Sequence, residues 1–369
     1  MLNNGYEQIV SQELRNSLND KICVIVPAKG DCDSFGKCID SLINLDYSPF
    51  EIIIVDDGLT RGALAQLESF SRRIKILNSQ SRGPSYARNL AAQHTDAEFL
   101  AFTDSDCMVD KDWLKELKRG LDISGGKFIG CGGVQELPCD ASFFEKKVFR
   151  FIKKAGIIAD YGRSAEKGGL LASAGEIKPI SDSRSKFNAV FRGIARMPYV
   201  PPRPVKLKEV KHNASCNVMY RKDIFLAAGG FQEGLWPSED VELDYRLIKN
   251  GYKLSFNPSA VVYHYRPKDF KSFTGMMFRY GSTASFLIKK YGFFRPVYFV
   301  PLFLAFLLVF LALSILFNFF LAYLSTLAVS VFLLFVYLQS DFWLFKLAIS
   351  AVFYWSLGLL KGLKQAFIK

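Results

Sequence analysis

Two acidic side chains, Asp104 and Asp106, stand two residues apart directly after the apolar run Phe99–Phe102. Carboxylate oxygens are preferred ligands of Mg²⁺ and Mn²⁺, and water and substrate phosphate oxygens complete the coordination. A cation held there would neutralise the charge that develops on a departing diphosphate. The alternative is a solvated turn at the end of a strand, where aspartate is common. The spacing alone leaves both interpretations open.

A second acidic pair, Asp56 and Asp57, follows the apolar run Ile52–Val55 and precedes Gly58. These carboxylates could accept hydrogen bonds from a nucleobase or a ribose, or they could cap the turn that follows the strand. The sequence contains no GxGxxG dinucleotide fingerprint and no GxxxxGK[ST] phosphate loop. A phosphate group must therefore be bound by a different arrangement of residues.

The elements that position these acids alternate between Lys21 and Val134. The apolar runs are Ile22–Val26, Ile52–Val55, Ile74–Leu77, Phe99–Phe102 and Phe128–Val134, and the amphipathic segments are 34–44, 62–70, 85–93 and 111–119. Short strands that are apolar throughout and alternate with helices are typical of a parallel sheet buried on both faces. We therefore predict an α/β fold, with a Rossmann-like, mostly parallel sheet and helices on both faces. Ligands of such sheets bind at the carboxyl ends of the strands, where both acidic pairs lie.

The composition excludes several classes of protein. Half of the 369 residues are hydrophobic, 22% are charged, and the net charge is +12. This apolar content is too high for a disordered chain or a soluble nucleic-acid-binding arm, so we expect no nucleic-acid partner. The seven cysteines form no CxxC pair, and three histidines are too few for a multi-histidine centre. We expect reduced thiols, with neither a disulfide framework nor a zinc site.

The C-terminal region is almost free of charge and predicts membrane helices. Val297–Phe317 and Phe319–Leu338 are each long and apolar enough to cross about 30 Å of hydrocarbon. Phe342–Leu360 carries Lys346, and a third crossing would put the C-terminal lysines opposite the basic residues that precede the first span. We therefore predict a two-span hairpin with 342–360 in or near the interface.

The chain divides into regions of different composition. The expected regions are an N-terminal extension (1–20), a region 21–290, and a membrane region (296–369) with two or three transmembrane helices. Residues 1–21 do not resemble a signal peptide. We therefore expect an integral protein of the plasma or inner membrane, with region 21–290 in the cytoplasm.

Six short motifs in one order carry a family resemblance. They are Val24–Ala28, Val55–Gly58, Gly83–Asn89, Phe102–Asp106, Gly229–Phe231 and Ser238–Arg246. Together they resemble the motif series of family 2 glycosyltransferases with the GT-A fold, over residues 21–266. The resemblance implies that 21–290 is the catalytic region, with a nucleotide-binding half (21–134) and an acceptor half (135–290). The sequence departs from the family at Lys29–Gly30, where an aromatic-Asn pair is usual. It also lacks the Gln-x-x-Arg-Trp sequence of processive synthases after Asp240, which favours a single addition.

The resemblance implies roles for the first set of residues. Pro27, Ala28 and Asp57 would hold the nucleotide of a sugar donor, and Asp104 would lie near its ribose. Asp106 would be the metal ligand of the Asp-x-Asp motif, with Mg²⁺ or Mn²⁺ as the cofactor. The expected donor is a nucleotide-diphosphate sugar, with a UDP-sugar as the first candidate.

The resemblance also implies roles for three later residues. Asp240 would be the base that deprotonates the acceptor hydroxyl in an inverting transfer; an ordinary aspartate at the start of a helix is the alternative. His264 would lie near the metal and the diphosphate, although a lone histidine is more often structural. Arg88 could approach the nucleotide or form a surface salt bridge.

The expected function is therefore transfer of one sugar by a membrane-anchored, metal-dependent enzyme of cell-envelope polysaccharide biosynthesis. The acceptor would be lipid-linked or a surface glycan, and membrane lipids would be partners. Transfer to a polyprenyl phosphate is an alternative within the class, since such an acceptor is already ionised. Alternatives from other classes are a non-catalytic membrane scaffold or transport subunit with a degenerate nucleotide-binding domain, and a nucleotidyltransferase.

Overall fold

The computed structural model describes residues 20–30, 34–68, 70, 73–123, 127–155, 207–299, a few positions between 306 and 317, 319–339 and 342–367. Residues 1–19, residues 156–206 of the expected acceptor half, and most of the first expected span lie outside the described residues. The strands are β1 (Ile22–Gly30), β2 (Phe50–Leu59), β3 (Ile74–Asn78), β4 (Phe99–Phe102), β5 (Cys107–Val109), β6 (Phe128–Glu136), β7 (Lys208–Val210), β8 (Val218–Arg221) and β9 (Lys253–His264). The helices are α1 (Phe35–Ile43), α2 (Arg61–Glu68), α3 (Pro84–Gln93), α4 (Trp113–Asp122), α5 (Phe143–Ala155), α6 (Lys222–Ala227), α7 (Glu239–Lys249), α8 (Phe270–Tyr291), α9 (Phe319–Gln339) and α10 (Phe342–Phe367).

The strands form one sheet in the order β3-β2-β1-β4-β8-β6-β9-β5, with β7 also paired to β9. β3, β2, β1 and β4 run parallel, as the alternating pattern predicts. β8 runs antiparallel to both β4 and β6, and β5 and β7 run antiparallel to β9. β6 and β9 run parallel to each other, so the sheet is mixed and its second half combines parallel and antiparallel pairs. The sequence did not indicate this, because the strands that reverse direction are only three or four residues long.

Helices cover both faces of the sheet. Successive residues of a strand point to opposite faces, so strands that are apolar throughout present apolar side chains on both. Val24 belongs to a buried cluster that includes residues of α1, α2 and α4, whereas Ile25 belongs to a cluster that includes residues of α3, α6 and α7. Phe35, Ile39 and Leu42 form the predicted core-facing stripe of α1 and are all buried. The predicted two-sided α/β architecture is confirmed.

A further group of helices packs beside the sheet. Residues of α5, α8 and α10 share one buried apolar cluster. α8 and α10 approach most closely at two glycines, because a Cβ atom on Gly281 would lie 1.9 Å from the carbonyl oxygen of Trp355, and one on Gly358 would lie 2.0 Å from that of Phe278. Any side chain at these positions would push the two helices apart. α10 is therefore docked against the catalytic region through backbone contact.

The C-terminal helices expose many large apolar side chains. They include Phe306, Val309, Phe310, Leu313, Leu316, Phe317, Phe320, Tyr323, Leu324, Leu327, Val331 and Phe332. Among the described residues one helix, Phe342–Gln365, is long and apolar enough to cross a membrane, and 28% of its most apolar stretch is buried. This is the segment that the sequence analysis placed near the interface. The number of spans remains a prediction.

Candidate active site

A cleft of about 670 Å³ opens beside the end of β4. Asp104 and Asp106 follow β4, Asp240 lies in the first turn of α7, and His264 ends β9, and all four line this cleft. The fold therefore brings together four predicted site residues from three separate parts of the chain. Pro27, Ala28, Asp57 and Arg88 are not among the residues that line it.

The two acids after β4 share their surroundings with His264. His264 Nε2 lies 3.4 Å from Asp106 Oδ1, and its Nδ1 lies 3.3 Å from Gln135 Oε1. One ligand atom each from Asp104, Asp106, Cys107 and His264 lie within 4.8 Å of one another. Burial and Arg266 oppose the charge on His264, but Asp106 and Cys216 raise its pKa to about 10. These side chains could hold a cation, and a cation would have to displace the histidine proton.

Arg88 lies inside the protein, with only 1% of the residue exposed. Its Nη2 donates to Asp104 Oδ1 at 2.6 Å, and its Nη1 donates to Glu239 Oε1 at 2.8 Å. The alternative of a surface salt bridge for Arg88 is therefore wrong, because its ion pairs are buried. Arg88 connects the end of β4 to the start of α7.

Glu239 stands next to the predicted base and was not singled out from the sequence. It is 2% exposed and accepts a second hydrogen bond from Ser215 Oγ at 3.0 Å. Burial and the neighbouring Asp240 carboxylate raise the pKa of Glu239 to about 7, despite the nearby Arg88. Its signal in the sequence was its place in the Glu-Asp pair, directly before Asp240.

Asp240 is oriented by backbone groups. Its Oδ2 accepts from the N–H of Ser215 at 3.0 Å, and its Oδ1 accepts from the N–H of Val241 at 2.7 Å. Ser238, immediately before α7, has a φ of 87°, which is unusual for a residue with a side chain and fixes how the helix begins. The side chain of Asp240 is 16% exposed, so it is held firmly but remains accessible from the cleft.

His212 forms a second layer behind Asp240. Its Nδ1 lies 2.9 Å from Asp244 Oδ2, and its Nε2 lies 4.0 Å from Asp240 Oδ2. Asp244 is fully buried and also accepts from Tyr220 Oη at 2.6 Å and from the N–H of Asn213 at 2.7 Å. Burial opposes the charge on His212, but Asp240 and Asp244 raise its pKa. No sequence pattern singled out His212, because it follows the segment 135–210, which has no regular pattern.

The other acidic pair lies at the end of β2. Asp57 is buried, and its Oδ1 accepts from Ser79 Oγ at 2.5 Å and from the N–H of Gly83 at 2.8 Å. Asp56 Oδ1 accepts from the N–H of Gly58 at 2.8 Å, which is the turn-capping role that the sequence analysis left open. Asp57 thus fixes the turn that leads into α3. A role in binding the nucleotide stays a prediction.

Pro27 and Ala28 lie near the end of β1 and pair with Val55 and Asp56 of β2. Both residues are buried. Their predicted roles in binding also stay predictions.

The described cysteines form no disulfide, and two of them lie close together. One ligand atom each from Cys107, Cys216 and His264 lie within 4.8 Å of one another, and both cysteines are buried. The Cys107 thiol beside it lowers the pKa of Cys216 to about 6, although burial acts in the opposite direction. Spacing along the chain suggested no cluster of this type, but the fold assembles one.

Two family models match separate parts of the chain. Residues 23–137 match glycosyl transferase family 2, and residues 213–357 match glycosyl transferase family group 2. The pre-mycofactocin glycosyltransferase of Mycobacterium tuberculosis is 23% identical over 274 residues, which are 73% of this chain and 48% of that protein. The glycosyltransferase GlyA of Streptococcus pneumoniae is 31% identical over 119 residues, which are 30% of this chain and 17% of that protein. The chain spans less than half the length of these two curated relatives.

A solved structure shares the fold along nearly the whole chain. It is a mannosyltransferase from Pyrobaculum calidifontis in complex with GDP-mannose and Mn²⁺, with a TM-score of 0.60 and 14% sequence identity. The likeness covers 97% of this chain and 95% of that one. It confirms the predicted GT-A fold.

Proposed function

Because the chain belongs to the family 2 glycosyltransferases, we propose that it transfers a single sugar from a nucleotide-diphosphate donor to a hydroxyl group of a lipid-linked or surface-glycan acceptor, with inversion. The observation that carries this proposal is the shared cleft. Asp104, Asp106 and Asp240 line the same cleft, although they are far apart in the sequence. A UDP-sugar remains the first donor to test.

The proposed base is Asp240. An inverting transfer needs one base, which takes the proton of the acceptor hydroxyl as its oxygen attacks the anomeric carbon opposite the leaving diphosphate. Each carboxylate oxygen of Asp240 accepts one backbone hydrogen bond, which leaves lone pairs free to receive that proton. The first turn of α7 further stabilises the carboxylate.

We propose that the divalent cation is Mg²⁺ or Mn²⁺ and that Asp106 and His264 hold it, with Asp104 close by. The grouping of their ligand atoms supports this, since two carboxylates and an imidazole suit Mn²⁺, and carboxylates suit Mg²⁺. When bound, such a cation would compensate the charge on the departing diphosphate.

The wall of the cleft supports a lipid-linked acceptor. Met276, Met277, Arg279 and Tyr280 of α8 line the cleft, and Met277 also belongs to the apolar cluster shared with α10. The helix that borders the acceptor side is therefore also the helix on which the apolar α10 docks. An acceptor with a lipid tail could reach Asp240 while its tail stays beside α10.

We further propose that the C-terminal helices anchor the protein in the plasma or inner membrane, with the catalytic region in the cytoplasm, where nucleotide-sugars are available. The exposed apolar side chains of these helices support this, because such a surface is rarely left open to water. The basic residues Lys146, Lys147 and Lys154 of α5 would face an anionic lipid surface.

The experiment incubates the purified full chain with a panel of labelled nucleotide-sugars and candidate acceptors, and measures free nucleoside diphosphate and labelled product. Asp240→Asn should reduce turnover by about 10²- to 10⁴-fold. Asp223→Asn is the matched control, because Asp223 lies in the first turn of α6 and its side chain is 63% exposed. Undiminished turnover by Asp240→Asn would contradict the base and favour a polyprenyl-phosphate acceptor, which needs none.

A further inference from the structure

Three side chains that could bind a soft metal converge at the edge of the cleft, which Cys216 and His264 line. Cys107 is the first residue of β5 and pairs directly with His264, the last residue of β9. Cys216 lies in the segment before β8, which enters the sheet elsewhere. The sheet register and the path into β8 thus bring two thiols and one imidazole to the same place.

The distances fit one tetrahedral ion. A zinc ion with Zn–S bonds of about 2.3 Å and Zn–N bonds of about 2.0 Å keeps its ligand atoms about 3.3 to 3.8 Å apart. The ligand atoms of Cys107, Cys216 and His264 all lie within 4.8 Å of one another, so small side-chain rotations would close the site. Asp106 Oδ1 lies 3.8 Å from Cys107 Sγ and 3.4 Å from His264 Nε2, and it or a water molecule could take the fourth position.

We propose that Cys107, Cys216 and His264 form a binding site for a thiophilic divalent cation such as Zn²⁺. Thiolates and imidazole select zinc over Mg²⁺ and Mn²⁺, which prefer oxygen. Burial suits this ion, because Cys107 and Cys216 are 0% and 4% exposed and the two thiolates would neutralise its charge.

The site shares His264 with the oxygen-rich group of Asp104 and Asp106. One imidazole nitrogen cannot ligate two ions, so a bound zinc ion takes His264 away from the Mg²⁺ or Mn²⁺ position. Zinc therefore acts as an inhibitor that competes with the activating cation. This consequence, but not the binding site itself, rests on the proposed function.

The binding test uses Co²⁺ as a spectroscopic substitute for zinc on the purified full chain. A thiolate-to-cobalt charge-transfer absorption should appear and should be removed by added Zn²⁺. Cys216→Ser should weaken cobalt binding at least about tenfold, since loss of an outer-shell partner alone costs 10- to 100-fold. Cys131→Ser is the matched control, because Cys131 is an equally buried cysteine of the sheet that lies outside the cluster.

Absence of the charge-transfer band in the unmodified protein, or a band unaffected by Cys216→Ser, would overturn the proposal. If Cys216→Ser fails to fold, the zinc-edge X-ray absorption spectrum of the unmodified protein counts the sulfur ligands directly. Two sulfurs support the site, and none overturns it. Both readouts are independent of turnover, so a failed transferase assay would leave them unchanged.

The inhibition test measures turnover at fixed Mn²⁺ while Zn²⁺ is varied. Each variant is compared with its own zinc-free rate, and Cys216→Ser should need at least about tenfold more zinc for half-inhibition. Inhibition that is equal in Cys216→Ser and Cys131→Ser would show that zinc acts elsewhere.

Discussion

At the scale of single residues, Asp240 and Asp57 are acids in two different surroundings. Asp240 is held by two backbone N–H groups and remains accessible, whereas Asp57 is buried and holds a turn. The first arrangement suits a group that exchanges a proton during the reaction. The second suits a group that shapes a binding surface. Substitution should therefore affect different kinetic constants.

Asp57→Asn should mainly raise the KM for the donor, and Asp240→Asn should mainly lower kcat. The amide at position 57 can still accept from Gly83, so the turn is kept while the charge is lost. Steady-state kinetics with varied donor concentration separates the two effects. The opposite result, a kcat effect at position 57 with KM unchanged, would mean that the two roles are exchanged.

His212 should make a contribution to stability that depends on pH. Asp240 and Asp244 raise its pKa in the folded protein against the opposing effects of burial and Arg295. The stabilisation is therefore complete below the unfolded pKa of about 6.5 and is lost as the pH rises through the higher folded value. Near pH 6, His212→Gln should lower Tm by about 4 °C, as expected for loss of a charge-assisted hydrogen bond.

The difference in Tm between His212→Gln and the unmodified protein should shrink at alkaline pH. Thermal unfolding at several pH values measures this difference. His94→Gln is the control, since His94 is exposed. A difference in Tm that stays constant from acid to alkaline pH would mean that His212 acts only through packing.

At the scale of elements, the contact between α8 and α10 supports the wall of the cleft that α8 forms. The two helices touch through the backbone at Gly281 and Gly358. Small residues that permit such approach are a common means of packing helices. The wall of the cleft therefore has little freedom to move independently of α10.

Gly281→Ala should destabilise the protein by about 1 to 3 kcal/mol, because the added methyl group would meet the Trp355 carbonyl. Gly275→Ala is a matched control in the same helix: its nearest neighbour, the end of the Arg279 side chain, lies 3.6 Å away. Gly275→Ala should leave the free energy of unfolding unchanged or raise it by up to about 1 kcal/mol. Thermal unfolding compares the two, and equal effects would contradict the close packing of α8 and α10.

At the scale of the whole molecule, if the C-terminal helices cross a membrane as proposed, the number of crossings determines on which side the C-terminus lies. Two crossings would keep the C-terminal lysines on the side of the catalytic region, and three would place them opposite it. The apolar length of Phe342–Gln365 permits a crossing, whereas its docking on α8 and α5 favours a position at the surface.

A reporter fused after Lys369 should lie in the cytoplasm together with the catalytic region. The expectation follows from the C-terminal lysines, which favour the cytoplasmic side. A second fusion after Asn318, between the two expected spans, is the control and should report the outside. A reporter outside after Lys369 would establish Phe342–Gln365 as a third span, and the enzyme assignment would be unaffected.

The parts of the fold that could be predicted are those with strong local patterns. The strand around Val24 and the stripe of Phe35, Ile39 and Leu42 are apolar with the correct period, and they lie where expected. The Asp-x-Asp and Glu-Asp motifs placed Asp106 and Asp240 in one cleft. These features depend on short stretches of sequence.

The remaining features depend on contacts between distant segments. His212 lies beside Asp244 only because the segment before β8 crosses the start of α7. Cys107 meets His264 through sheet register, and Cys216 joins them from the segment before β8, which the spacing of cysteines does not encode. The burial of Arg88 likewise requires two carboxylates from separate elements. Periodicity and motifs carry no information about such long-range pairs.

The buried guanidinium of Arg88 has a consequence for the order of events during synthesis. When the ribosome has released only residues up to about 134, Arg88 has met Asp104 but not Glu239. A buried charge with incomplete pairing is costly, so the nascent N-terminal half should not settle into its final packing. Compact folding should begin only after α7 has emerged. The nucleotide-binding and acceptor halves would then fold together, and neither should be stable as a fragment expressed alone.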